Sequence, residues 1–292
     1  MAAIRIELAA IGRIGRDLVR CEGVAVARDG SVWAADGRGA CTRIAPDGAH
    51  EERVGDLGGE PNGICFDAEG RIIVANLAGS VQRLDTRTGR HEVLVTHAGG
   101  RPTTTPNFPV VDRRGRIWVS NSTARAEVMD AVHAPAGDGF LFRIEGGRAE
   151  VVADELWFAN GVALDAAERF VYVAETMAFR VTRFPIRADD SLGPREAYGP
   201  DLGAEFAADG IAFDEVGNLW VVCPGANALG VIAPEGAWNV VVRDPAASTL
   251  NLPTNIAFAG PDRRTAYVGN LAGPSLPTFR VPHPGLALVH QG

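Results

Sequence analysis

The chain has 292 residues, 46% hydrophobic and 22% charged, with a formal net charge of −8. That is an ordinary globular composition, long enough to bury a large core. All 28 basic residues are arginine, which excludes Schiff-base and lysine general-base chemistry and a P-loop lysine. No basic cluster offers a footprint for nucleic acid.

No 18-residue apolar run is present to span a membrane. In chain order, the N-terminal stretch carries Arg5, Glu7, Arg13, Arg16 and Asp17, which interrupt the apolar core a signal peptide needs. The expectation is a cytoplasmic protein with a small-molecule substrate, monomeric or a small homo-oligomer. The first strand is expected in "IRIEL", from Ile4. Six related stretches follow: "CEGVAVARDGSVWAAD" from Cys21, "EPNGICFDAEGRIIVAN" from Glu60, "TPNFPVVDRRGRIWVSN" from Thr105, "LWFANGVALDAAERFVYVAET" from Leu156, "AADGIAFDEVGNLWVVC" from Ala207 and "LPTNIAFAGPDRRTAYVGN" from Leu252. Each reads as a strand, a turn built mainly from Asp and Gly, and a second strand. A weaker third strand follows in each, for example "GACTRIA", "GSVQRLD", "GFLFRIE" and "FRVTRFPI".

Repeats of 40 to 53 residues with four short strands each have the size of a propeller blade. The chain therefore predicts an all-β fold: one domain over 1–292, a six-bladed β-propeller with four-stranded blades around a central channel. "IRIEL" is expected to complete the last blade and leave no free edge. The innermost strand of each blade lines the channel, so its first polar residue stands at one mouth. These residues are Glu22, Asn62, Asn107, Asn160, Asp209 and Asn255. The glycines behind them let neighbouring backbones approach closely. The second strand returns to the same mouth, which places Asn121 and Glu175 in an outer ring of the same pocket.

The inner ring offers oxygen at every position. Two carboxylates and several amides converging on an axis suit a hard divalent cation, calcium before magnesium or manganese, with zinc a further candidate. The cysteines, Cys21, Cys41, Cys65 and Cys223, match no zinc or redox spacing and read as free buried thiols.

Ordered over several blades, "CEGVAV", "TPNFPV", "FANGVALD" and "AADGIAFD" resemble the six-bladed calcium-dependent propeller hydrolases: the gluconolactonase and luciferin-regenerating family, with paraoxonases and diisopropyl fluorophosphatase. The resemblance covers essentially the whole chain. It implies a metal held by Glu22, Asn107, Asn160 and Asp209, with Asp209 also the catalytic acid–base group or nucleophile. Two positions depart from the gluconolactonase pattern: Thr105 stands in place of an Arg, and Arg125 in place of a sugar-binding Glu. Together with Pro106, Phe108, Trp157, Phe158, Met177 and Phe179 near the mouth, this points to a lactone or ester less polar than a hexonolactone.

Substrate contacts are expected from Asn107, Asn121, Arg125, Trp157, Phe158, Glu175 and Met177. The segment 124–139, an insertion in the third blade, is expected as a lid carrying Arg125, Met129 and His133, with His133 a second catalytic candidate. The alternatives are a metal-free enzyme similar to strictosidine synthase, performing condensation or aldol-type chemistry, and a non-catalytic binding propeller.

Overall fold

The repeated turns fold as their Asp and Gly residues dictate. Asp67, Asp112 and Asp214 each accept backbone N–H groups two and four residues on, at 2.9–3.2 Å. Gly70, Gly115 and Gly217 supply the left-handed residue that closes each turn. The result, in a computed structural model that describes residues 4–291, is a ring of six antiparallel four-stranded sheets.

Blade one contains Val24–Val26, Val32–Asp36, Ala40–Ile44 and Glu51–Val54, and blade two Pro61–Phe66, Ile72–Asn76, Ser80–Leu84 and His91–Val95. Blade three contains Pro106–Val111, Ile117–Asn121, Gly139–Glu145 and Arg148–Leu156, and blade four Ala159–Leu164, Phe170–Glu175, Arg180–Pro185 and Glu196–Tyr198. Blade five contains Ile211–Phe213, Leu219–Cys223, Ala228–Ile232 and Trp238–Arg243. Blade six takes Pro253–Ala259, Thr265–Asn270 and Leu276–Arg280 from the C-terminal end of the chain and Gly12–Ile14 from the N-terminal end.

The closing strand corrects the expectation placed on "IRIEL". Gly12, Arg13 and Ile14 pair with Thr278, Pro277 and Leu276, while Ile4, Ile6 and Leu8 pack against the core between blades five and six. Ile6 donates one backbone bond to Val241. The closing strand must hand the chain directly to blade one. Gly12–Ile14 does so through Ile14 and Leu18, which both pack into the core of that blade.

Neighbouring blades bury aromatic residues edge to face, which suits the ring quadrupoles. Trp33 meets Phe66 at 6.3 Å, Tyr172 meets Phe213 at 4.8 Å and Trp220 meets Phe258 at 5.8 Å. At the axis the contact is backbone to backbone. Gly23 N–H donates to Asn62 O at 2.9 Å, Gly161 to Asp209 O at 3.1 Å and Gly210 to Thr254 O at 2.7 Å. A Cβ on Gly23, Gly63, Gly161 or Gly210 would lie 2.4–2.6 Å from the carbonyl oxygen of the next blade. No side chain fits there, which is why glycine follows the ring residue in these four blades.

Gly161→Ala should therefore destabilise the fold by about 1–3 kcal/mol in urea unfolding, as overpacking of a rigid site does. Gly225→Ala, whose nearest neighbour is 3.9 Å away, should stay within about 0.5 kcal/mol of wild type.

Candidate functional site

Four of the six inner strands break their ladder at the ring residue. The register shifts between Pro61 and Ile64, Pro106 and Pro109, Ala159 and Val162, and Pro253 and Ile256. A bulge at this point interrupts the alternation of side chains and re-aims one of them. All six ring residues are buried, at 2–8% exposure.

Their hydrogen bonds divide them. Asn62 is committed: its Oδ1 accepts from both terminal nitrogens of Arg20 at 3.2 and 3.3 Å, and its Nδ2 donates to Asn107 O at 3.2 Å. Asn160 is oriented by Thr176. The Thr176 hydroxyl donates to Ala208 O at 2.7 Å, so its lone pair must accept from Asn160 Nδ2, at 3.2 Å. The amide nitrogen is thereby fixed and Asn160 Oδ1 is left as a free acceptor. The side chains of Asn107 and Asn255 enter no hydrogen bond among the described residues, and Asn255 lines the channel below the ring.

The carboxylates repel each other. Burial pushes the Asp209 carboxyl well above the usual carboxylate range, and the charge of Glu22 pushes it further; Arg20 and the Asn160 amide oppose the shift. Burial also raises Glu22, with Arg20 pulling it down and Glu60 adding repulsion. Arg20 was not among the residues singled out from the sequence. Its guanidinium lies 3.9 Å from Glu22 but is bonded to Glu60 at 2.6 Å, besides Asn62. It is shared among Glu22, Glu60 and Asn62 and so offsets the Glu22–Asp209 pair only in part. Two carboxylates without a matched counter-charge, beside the free amide oxygen of Asn160 and the unbonded side chain of Asn107, form a donor set that fits a hard divalent cation.

The expected outer ring turns out to brace the loops. Asn121 and Glu175 are fully buried. Asn121 accepts from Thr105 N–H at 3.0 Å and donates to Thr123 O at 2.7 Å. Glu175 accepts from Trp157 N–H at 3.0 Å, from Arg180 Nε at 3.1 Å and from the Thr182 hydroxyl. Asn76 and Asn270 do the same for Glu60 and Asn251. In each case the last residue of the second strand ties down the loop leading into its own blade's inner strand. With these polar atoms occupied inside the chain, Asn121 and Glu175 have no free group to offer a ligand.

The insertion of blade three carries a short helix, Val128–His133. Arg125 pins it by donating to Asp130 O at 2.5 Å, and Asp138 accepts from the Thr123 hydroxyl at 2.8 Å. His133 is exposed and makes no hydrogen bond or ion pair to the ring among the described residues; the structure does not bring it to Asp209. Trp157 is 39% exposed, while Phe158 is buried with φ 57°. Met177 N–H donates to Trp157 O at 3.1 Å, so Trp157 and Met177 stand together at the ring end. Phe108 lines the channel below the ring instead of the mouth. The four cysteines are free and buried, as expected.

Glu175→Ala should cost roughly 2–4 kcal/mol in urea unfolding, because it leaves the Trp157 N–H and the Thr182 hydroxyl buried and unpaired. Stability unchanged within about 0.5 kcal/mol, with a raised KM for substrate, would instead mark Glu175 as a ligand contact.

Residues 50–271 match the family described as the SMP-30/Gluconolactonase/LRE-like region. The chain is 28% identical to a 6-deoxy-6-sulfogluconolactonase of Pseudomonas putida over 70% of its own length and 67% of the relative's. It is 32% identical to the adipocyte plasma membrane-associated protein Hemomucin of Drosophila melanogaster over 44% of its length, spanning 24% of that larger protein. Among solved structures, it shares the fold of regucalcin from Agrobacterium tumefaciens, described as a calcium-binding protein, with a TM-score of 0.76 at 17% identity, over 99% of this chain and 100% of that one. Family match, blade count and ring agree: the chain belongs to the SMP-30/gluconolactonase/LRE-like family.

Proposed function

We propose that this chain is a metal-dependent hydrolase of a carboxylic ester, most readily a lactone, with a relatively apolar substrate. One observation carries the reading. Glu22 and Asp209 are both buried in the ring, burial raises both carboxyls and the charge of Glu22 raises Asp209 further, while Arg20 is divided among Glu22, Glu60 and Asn62. Such a pair is costly without a cation. Glu22, Asn107, Asn160 and Asp209 would hold it, and calcium suits an all-oxygen set with two charges. The name of the Pseudomonas putida relative supports lactone chemistry, and the description of the Agrobacterium tumefaciens neighbour supports calcium.

A bound divalent cation supplies polarisation of the substrate carbonyl and stabilises negative charge developing on its oxygen. The chain's own residues supply the rest. Asn160, fixed by Thr176, presents an oxygen to the axis without side-chain rotation. Asp209 accepts a proton from water as the water oxygen bonds to the acyl carbon. When the acyl C–O bond breaks, that proton passes to the leaving alkoxide oxygen. The products are a carboxylic acid and an alcohol, joined in one hydroxy acid when the substrate is a lactone, and Asp209 returns to its carboxylate form.

The rim supports the choice of substrate. Val19, Met129, Trp157 and Leu252 are apolar and 39–54% exposed. Val19, Trp157 and Leu252 bond through their carbonyls to residues just past the second strands of blades one, four and six, and Met129 follows the second strand of blade three. All four therefore belong to the ring end of the channel. They match an apolar acyl or alkoxy group, and Thr105 and Arg125 remove the polar contacts that a hexonolactone would find in the gluconolactonase pattern.

Calcium should raise the melting temperature of chelator-treated protein, since a ligand at a hundredfold excess over Kd adds about 2.7 kcal/mol to the native state. Asp209→Asn, assayed at saturating calcium with occupancy verified, should lose about 10²–10⁴-fold in turnover of an aliphatic lactone. Glu22→Gln should weaken calcium binding first and turnover as a consequence. Metal-loaded Asp209→Asn with turnover within about threefold of wild type would remove Asp209 from the catalytic role.

A further inference from the structure

Below the ring, the channel widens into a cavity of about 470 Å³, a size within the range of about 300–1,000 Å³ that holds small organic ligands. Every blade contributes an apolar wall residue: Val26, Phe66, Val110, Leu164, Phe213 and Phe258. Glu22, Asn107, Asn160 and Asp209 do not line it; of the six ring residues only Asn255 does. The C-terminal segment 286–291 forms the floor. Leu286 N–H donates to Phe213 O at 2.9 Å and Gln291 Nε2 to Phe258 O at 3.2 Å, which ties the segment to blades five and six. The cavity also reaches the exposed residues Ala68 and Gly115, at the turns of blades two and three, and Leu288 of the floor, so it opens at the end opposite the ring.

The charged groups around it are already bonded. Asp112 holds Arg116 and Trp118, Asp165 holds two backbone N–H groups, Glu168 accepts from Arg113 N–H, and Arg113 donates to Ala166 O. His290 presents no free group either. Its Nε2 lies 2.8 Å from Val26 O, its ring stacks on Phe66 with centroids 4.9 Å apart, and its Nδ1 is enclosed by the protein. The carboxamide of Asn255 differs from all of these. The residue is 3% exposed, and its side chain enters no hydrogen bond among the described residues. The side-chain atoms that are both unpartnered and fully enclosed belong to other residues. Oδ1 and Nδ2 of Asn255 therefore face open space, and the space this residue borders is the cavity. The side chain is also held in place. The ladder shift between Pro253 and Ile256 sets its direction, and Nδ2 rests against Gly210, where a Cβ would lie 2.9 Å away.

We propose that this cavity is a second ligand site, for a neutral apolar molecule that bears one cis amide group, as in a lactam, held by the carboxamide of Asn255. The walls favour transfer of apolar surface out of water. Asn255 offers one face with a donor and an acceptor side by side. A cis amide satisfies both in one plane: Nδ2 donates to the ligand carbonyl, and Oδ1 accepts from the ligand N–H. A single hydroxyl proton would reach only Oδ1. A carboxylic acid is ionised at neutral pH, and the lining holds no unbonded cation to match it. The site shares no residue with the proposed hydrolytic machinery, so the inference does not rest on the proposed reaction.

The probes are oxindole, a neutral bicyclic lactam, and N-methyloxindole, which keeps the carbonyl and lacks the N–H. Both are titrated calorimetrically into the full chain. The expected result is that oxindole binds about two- to tenfold tighter than N-methyloxindole, the ratio a single net hydrogen bond gives. Asn255→Leu, similar in volume and without polar atoms, should abolish that preference. Because Asn255→Leu can disturb the ring, the second measurement uses the unaltered protein. The side-chain amide resonances of Asn255 should shift on adding oxindole, with nuclear Overhauser contacts from the probe to the methyl groups of Val26, Val110 and Leu164. Equal affinities for the two probes in wild type, the result expected if an ordered water satisfies the Asn255 amide, would overturn the proposal. So would no binding of either probe, or Overhauser contacts from oxindole to Trp157 and Met177 alone, which would place it at the opposite mouth.

Discussion

The structure depends on the close approach of neighbouring inner strands at one end of the channel. Gly161 N–H reaches Asp209 O, Gly23 reaches Asn62 O and Gly210 reaches Thr254 O, and no Cβ fits between. These contacts link blades at the point where their polar residues converge. Because the backbones touch, side chains from different blades also lie close. The same contact that closes the ring therefore crowds Glu22 and Asp209 together and raises Asp209 above the ordinary carboxylate range. Fold and site share a single steric cause.

Around that core the polar residues divide their work. Arg20 binds both Asn62 and Glu60, which draws one amide and one guanidinium away from the centre. Thr176 turns the Asn160 amide so that its oxygen stays free. Glu175 and Asn121 secure the loops that carry Trp157 and Thr105. A buried polar group must find a partner inside the chain or await one from outside. In the upper ring the groups left waiting include the two carboxylates and the Asn160 amide oxygen, which suit a hard cation. In the lower channel the Asn255 amide and His290 Nδ1 are left without a partner among the described residues.

Much of this was legible in the sequence, and the reasons are physical. Six recurrences of a polar residue, an apolar strand, an Asp/Gly turn and a second strand specify the propeller, since only a closed ring pairs that many short strands. Position within the repeat picked out the six ring residues, Glu22, Asn62, Asn107, Asn160, Asp209 and Asn255, all of them buried; the choice of Glu22, Asn107, Asn160 and Asp209 among them came from the family resemblance and is a proposal. The roles of Asn121 and Glu175 were not legible. Strand direction returns them to the right mouth, but only the folded loop shows that their atoms are consumed by backbone N–H groups. Arg20 left a signal that went unread: it stands two residues before Glu22, as Glu60 stands two before Asn62, an opposite-charge pair at matching positions of adjacent blades. "IRIEL" has a strand's composition, yet Gly12–Ile14 lies nearer the start of blade one and takes the closing place. Nothing local distinguishes His290 from a solvated histidine; its burial comes from the path of the last residues across the channel.

The central claim is that the Glu22–Asp209 pair is built around a divalent cation. The most direct measurement is anomalous diffraction from crystals grown with calcium at saturation. The account predicts one strong anomalous peak per chain on the channel axis, bound by oxygens of Glu22, Asn160 and Asp209. A map with only water at that position would contradict it.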